Sequence, residues 1–204
     1  MFELTQEQYE NIVFLTKCIY IDDLIYPSFL GFQHAVVLLS GLRMNLFIGK
    51  DFDLFIICGT NSFRDWIANA KVGMFSAPIQ YQQALQRIIQ YYSTMDKNKK
   101  LVIAGHSLGG GIACYCKSFM PLDKVLCITF NACPVKHLCA NKDDDNILNL
   151  ISEHDILNNI CNLLPGSNYM EHIGSTIILN DKYRFSSIKS HCDFGTFMDF
   201  KFRK

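Results

Sequence analysis

The sequence predicts an α/β fold, with a mostly parallel central sheet and helices on both faces. Three observations carry this reading. Short apolar runs, fully so at 101–104 and predominantly so at 125–130, 147–151 and 173–179, alternate with stretches of helical periodicity. Strands that are apolar on both sides belong to sheets covered on both sides. The serine of Gly105-His106-Ser107-Leu108-Gly109 lies where the first of these runs meets a segment rich in small residues. No repeat, low-complexity tract or Pro/Gly/Ser-rich linker interrupts the chain, so residues 1–204 read as one domain.

The elements follow in order. Thr5 and Gln8 fit a capping box, and Tyr9, Ile12, Val13, Thr16, Ile19 and Tyr20 mark one face of the helix it opens. Residues 35–39, 45–48 and 53–58 are β-branched and aromatic runs bounded by Gly and charge, and read as strands. Residues 63–72 are helical in pattern. Pro78 then opens a second helix with Leu85, Ile88, Ile89 and Tyr92 on its face. The strand 101–104, the helix 108–119 and the strands 125–130, 147–151 and 173–179 complete the alternation.

Composition narrows the function. The chain is 50% hydrophobic and 19% charged, with 16 Phe and 9 Tyr, which suits either dense packing or an apolar surface around a lipid site. Nineteen basic and nineteen acidic residues cancel, so no basic face points to nucleic acid. Lys97-Asn98-Lys99-Lys100 and Asp143-Asp144-Asp145 read as solvated loops. Nine cysteines, among them Cys58, Cys114, Cys116 and Cys127 inside apolar segments, read as free thiols. Together with an amino terminus that lacks a signal pattern, they lead us to expect a cytoplasmic protein. Charged or polar breaks at Arg43, Lys50 and Asn131 argue against a transmembrane segment.

The chemistry rests on the serine. G-x-S-x-G between a strand and a helix is a nucleophile elbow, in which a very tight turn lifts the serine oxygen above the sheet, and it specifies the α/β-hydrolase fold. Side chains at 105 and 109 would collide in such a turn. The helix start presents free N–H groups and a positive dipole end, so the N–H of Leu108 is an oxyanion donor. In this fold the nucleophile is followed by an acid and then a histidine. Among the later carboxylates, Asp123 precedes its strand and so lies at the wrong end. Asp155 directly follows 147–151, at the carboxyl end where such sites form; its structural alternative is a helix N-cap before Ile156. His172 and His191 compete for the base, and His106 reads as support for the elbow. No Cys/His cluster has zinc spacing, so neither metal nor cofactor is expected.

Four blocks in order resemble the class 3 lipase family, which includes fungal triacylglycerol lipases and plant phospholipases. They are Gly59-Thr60-Asn61-Ser62-Phe63-Arg64-Asp65-Trp66, the elbow through Gly110, Thr129-Phe130-Asn131-Ala132-Cys133-Pro134, and Ser152-Glu153-His154-Asp155-Ile156. The resemblance implies Ser107, Asp155 and His191 as the catalytic residues, with His191 matching the family's last catalytic block. It implies Thr60 as the second oxyanion donor, through its N–H and hydroxyl, and a lid helix whose Phe63, Trp66 and Ile67 face the site or lipid. Departures are Cys58 where the family has Arg, a missing His-x-Gly-Phe element, a short 71–78 stretch and Asn158 where the family has Pro. They fall on the lid and acyl groove rather than on the three catalytic positions. The resemblance implies hydrolysis of lipid esters, of triacylglycerol lipase or phospholipase type, with transient contact at a lipid interface. A soluble short-chain esterase or thioesterase and an inactive hydrolase-fold binding protein are the alternatives.

Overall fold

The computed structural model describes residues 4–20, 30–39, 42–58, 79–121, 123–163, 171–184 and 186–202. Helix α1 (Gln6–Tyr20) opens with the expected reciprocal cap: the Thr5 N–H donates to Gln8 Oε1 at 3.0 Å and the Gln8 N–H to Thr5 Oγ1 at 3.2 Å. Its stripe of Tyr9, Ile12, Val13, Thr16 and Ile19 is buried. The Thr16 hydroxyl donates to the Ile12 carbonyl at 2.7 Å, which satisfies it inside the core.

The sheet has seven strands among the described residues: β1 (Gln33–Leu39), β2 (Leu42–Ile48), β3 (Phe52–Ile57), β4 (Lys100–His106), β5 (Val125–Phe130), β6 (Ile147–Ser152) and β7 (Ser175–Leu179). They lie in sequential order from β1 to β7. The first three pair antiparallel and every later pair is parallel. Helix α2 (Ile79–Thr94) joins β3 to β4 and α3 (Leu108–Ser118) joins β4 to β5. Helix α4 (Ile156–Leu163) follows β6, and the short α5 (Ser187–Cys192) and α6 (Gly195–Met198) follow β7.

Alternation along each central strand divides the core into two layers. Phe55, Ile57, Leu101, Ile103, Val125 and Cys127 pack beneath α2 and α3 with Tyr81, Ile88 and Ile112. Leu54, Ile56, Val102, Ala104, Leu126 and Ile128 face the other way, against Tyr9, Ile12 and Val13 of α1 and Phe197 of α6. The tail locks onto α1. The Tyr9 hydroxyl donates to the Phe197 carbonyl at 2.5 Å, and Phe200 and Phe202 meet the Tyr9 ring edge-on at 5.5 and 5.4 Å. This is the expected α/β-hydrolase arrangement, a mostly parallel sheet covered on both faces. Among the described residues no helix is long and apolar enough to cross a membrane.

Several expectations need correcting. The buried stripe of α2 is Tyr81, Ala84 and Ile88, with Leu85 and Tyr92 at its margin, whereas Ile89 is 46% exposed. Ile89 is one residue past Ile88 and therefore turned about 100° around the helix from it. Strand β7 is open to solvent, with Ile178 51% exposed, because it forms the edge of the sheet. The 143–145 run is not wholly solvated: Asp144 is buried against Lys117 Nζ of α3 at 2.6 Å. Nor is the lysine run before β4. Lys99 pairs with the buried Asp53, which also accepts the Tyr91 hydroxyl at 2.8 Å. The helix expected at 63–72 and Pro78 lie outside the described residues. Cys58, Cys114, Cys116 and Cys127 are buried thiols outside any disulfide, as expected.

Candidate active site

Ser107 occupies the single residue between β4 and α3, with φ 57° and ψ −126°. Such backbone costs about 1–3 kcal/mol and persists only where its surroundings fix it. Here they do. The Ser107 N–H donates to the Phe130 carbonyl at 3.1 Å, and the Ser107 carbonyl accepts from Cys133 at 3.0 Å and Gly111 at 3.2 Å. The serine is thus tied to β5, to the loop after it and to its own helix. Its hydroxyl does not cap that helix. Two glycines permit the bend: a Cβ at Gly105 would overlap the Gly109 carbonyl, and one at Gly109 would overlap the Ile57 carbonyl. The second overlap also shows that the end of β3 lies against the start of α3. Leu108 is the first residue of α3, where helix geometry leaves N–H groups without intrahelical acceptors. Thr60, three residues beyond β3, lies outside the described residues, as do Phe63, Trp66 and Ile67.

Asp155 follows β6 and His191 lies on α5, and both are buried. The His191 Nδ1–H donates to Asp155 Oδ2. A carboxylate oxygen only accepts, so Nδ1 carries the proton of this bond. Asp155 Oδ1 meanwhile accepts the Asn158 N–H at 2.9 Å, capping α4. The capping role and the pairing with histidine therefore coexist, one on each oxygen.

The preceding histidine links this pair to the elbow. The His106 ring lies 4.7 Å from the His191 ring, and its Nε2–H donates to the His191 carbonyl at 2.7 Å. Burial, reinforced by the neighbouring imidazole, pushes the His106 pKa down to about 3, so it stays neutral. It thus ties His191 to the turn. His172, the rival for the base, lies just before β7. Burial lowers its pKa to about 4 against the opposing pull of Asp155, but the hydrogen bond to Asp155 Oδ2 comes from His191.

Asn131 escaped sequence reading as a functional residue. It follows β5 with φ 44°, a conformation that asparagine tolerates better than most side chains. Its Nδ2 donates to the His191 carbonyl at 3.0 Å, the Ser190 carbonyl at 3.2 Å and Ser152 Oγ at 3.3 Å, and its Oδ1 accepts the Ser152 N–H at 2.7 Å. It joins the ends of β5 and β6 to α5. The available signal was a polar residue directly after a predominantly apolar strand, on the carboxyl side of the sheet. A cavity of about 330 Å³ elsewhere is lined by Thr5, Gln8, Phe32, Lys50 and Phe52. It opens at the amino end of β3, the opposite end of the sheet from Ser107, and contributes nothing to this constellation.

Residues 40–147, just over half of the chain, match the Tle-like phospholipase domain, a phospholipase-like family. The chain belongs to the Tle-like phospholipase family. Within this family's span fall β2 to β5, the elbow and α3. Over 103 residues, half of this chain, the sequence is 30% identical to the extracellular phospholipase A1 of Serratia liquefaciens; the matched stretch spans about a third (31%) of that protein. A mutant form of MDLA from Penicillium cyclopium superposes with a TM-score of 0.63 at 12% identity, covering 93% of this chain and 86% of that one. A fungal lipase superposes at 0.62 and 11% identity, covering 91% and 83%. These two likenesses bear on the fold, which this Tle-like phospholipase domain shares with fungal lipases. The expected lipase-like membership stands.

Proposed function

We propose that the protein hydrolyses carboxylic esters of lipids through Ser107, His191 and Asp155 and an acyl-enzyme intermediate. The observation that carries this is the buried His191–Asp155 hydrogen bond, linked through His106 to a strained serine whose backbone is fixed on three sides. His191 Nε2 takes the Ser107 proton as Oγ attacks the ester carbonyl, while Asp155 stabilises the imidazolium that forms. The N–H of Leu108 and the N–H and hydroxyl of Thr60 receive the oxyanion. The alcohol departs with the proton from His191. Water, activated by the same nitrogen, then releases the acid.

Membership of a phospholipase-like family, and similarity to a protein named as a phospholipase A1, support a phospholipid ester as substrate. Phe63, Trp66 and Ile67 are the side chains we assign to contact with the acyl chains or the lipid interface. A fluorophosphonate probe tests the chemistry: we expect covalent capture by the folded protein and none by Ser107→Ala. No capture by the wild type would mean the scaffold serves binding. A chain-length series of nitrophenyl esters and phospholipids, with and without micelles, tests the substrate. Activity confined to short soluble esters would replace the lipid reading with an esterase.

A further inference from the structure

We propose that Asp181 is a positioning residue for the acid–base pair, a carboxylate strut that fixes the loop carrying Asp155 against the helix carrying His191. The inference rests on the ester-hydrolase reading above and adds a residue to it. The two groups stand 36 positions apart in sequence. One lies on a strand-end loop and the other on a helix of six residues, too short to hold its own shape. A single hydrogen bond between them would not fix the imidazole against a serine on a third element.

Asp181 lies two residues beyond β7, with its side chain fully buried. Its Oδ1 accepts the Tyr183 N–H at 2.7 Å and the His154 Nδ1–H at 3.1 Å. Its Oδ2 accepts the His154 N–H at 3.2 Å and the Ser190 hydroxyl at 2.5 Å. His154 immediately precedes Asp155, and Ser190 immediately precedes His191. One carboxylate therefore grips the residue before the acid and the residue before the base. Burial alone would favour its neutral form, but these donors outweigh it and hold the carboxyl below the usual carboxylate range. The Glu153 N–H also donates to the Leu179 carbonyl at 2.8 Å, which anchors the same loop to β7. Asn131 and His106 hold the carbonyls of this turn of α5 from the β4–β5 side. Asp181 holds its Ser190 side chain from the β7 side.

Asp181→Asn keeps the shape but, whichever way its amide turns, sets the NH2 against a backbone N–H, of Tyr183 or of His154, that can only donate. Loss of such support misplaces the imidazole, and a misplacement of about 1 Å in an active site can cost about 100-fold. We expect kcat to fall by about that factor with KM within about twofold, since only the transition-state geometry suffers. Ser190→Ala removes the tie to the base and should cost about three- to tenfold in kcat. In the Asp181→Asn background it should cost little more, because the two changes break one interaction. Independently of turnover, the His191 Nδ1–H should give a far-downfield proton resonance in the wild type, weakened or shifted in Asp181→Asn. Wild-type kcat in Asp181→Asn, or an unaltered downfield resonance there, would overturn the proposal. Should Asp181→Asn not fold, Ser190→Ala decides, with an unchanged kcat and resonance overturning it. A wild type that shows the resonance but neither cleaves esters nor captures the probe would sink the hydrolase reading, while the resonance would still test the strut.

Discussion

Strand β6 has a buried carboxylate beyond each end, and the two are put to different use. Before it, Asp144 pairs with Lys117 Nζ at 2.6 Å, both side chains essentially unexposed, and accepts the Asn146 N–H at 3.0 Å. After it, Asp155 pairs with His191 and accepts the Asn158 N–H at 2.9 Å. The local devices match: one oxygen holds a backbone N–H two or three residues on, and the other holds a side chain from a distant helix. The partner differs. A lysine ammonium buried beside a carboxylate is a fixed charge that joins α3 to the loop before β6. An imidazole brings a second ring nitrogen beyond the one that the carboxylate holds. Burial of a carboxylate thus does not by itself point to chemistry; the kind of partner it holds does.

The comparison can be broken at either end. The largest effect should come from Ser107→Ala, which we expect to lower kcat by about five or more orders of magnitude per folded molecule, as loss of a nucleophile does. Asp155→Asn and His191→Ala should each cost about three or more orders of magnitude with little change in the far-ultraviolet spectrum. His172→Ala should cost less than about tenfold; a collapse there with near-normal rates in His191→Ala would transfer the base to the other imidazole. At the opposite end of β6 the loss should appear in stability. Lys117→Met leaves Asp144 buried alone and should lower the free energy of urea unfolding by about 3–5 kcal/mol, with kcat preserved; adding Asp144→Leu should restore most of it. A kcat lost in step with stability would show the two ends to be coupled.

The smallest effect is one of pH. The unfolded imidazoles of His106 and His172 protonate near 6.5, the folded ones only near 3 and 4. Between those values the unfolded chain binds more protons, so stability rises with pH. It should be fully present above about 6.5 and lost progressively as the pH falls toward 4, read as a declining Tm in the wild type and a shallower decline in His172→Gln.

Sequence made legible whatever depends on local pattern. The capping box of α1, the apolar runs of β3 to β6 and the elbow all lie where periodicity and glycine placement put them, because their causes sit within a few residues. Asp155 and Ser107 were legible because the end of a strand fixes them. What escaped depends on partners far away in sequence. Nothing near Asp144 announces Lys117, and Asp181 meets His154 and Ser190 only once β6, β7 and α5 have converged. The margin of α2 was misjudged because Ile89 is as apolar as Ile88, and only the docked helix shows which one faces inward. Strand β7 was read as covered because its composition matches the interior strands, whereas exposure follows from its place at the edge.

The strictly sequential strand order has a consequence for how the molecule is made. Each strand finds its neighbour in the segment just synthesised, so the sheet can grow edge by edge as the chain leaves the ribosome. Ser107 can take its place once β4, α3 and β5 have formed, but His191 arrives only with α5, after all seven strands among the described residues. Between residues 107 and 191 a nascent polypeptide would carry the elbow hydroxyl without the imidazole that we propose activates it.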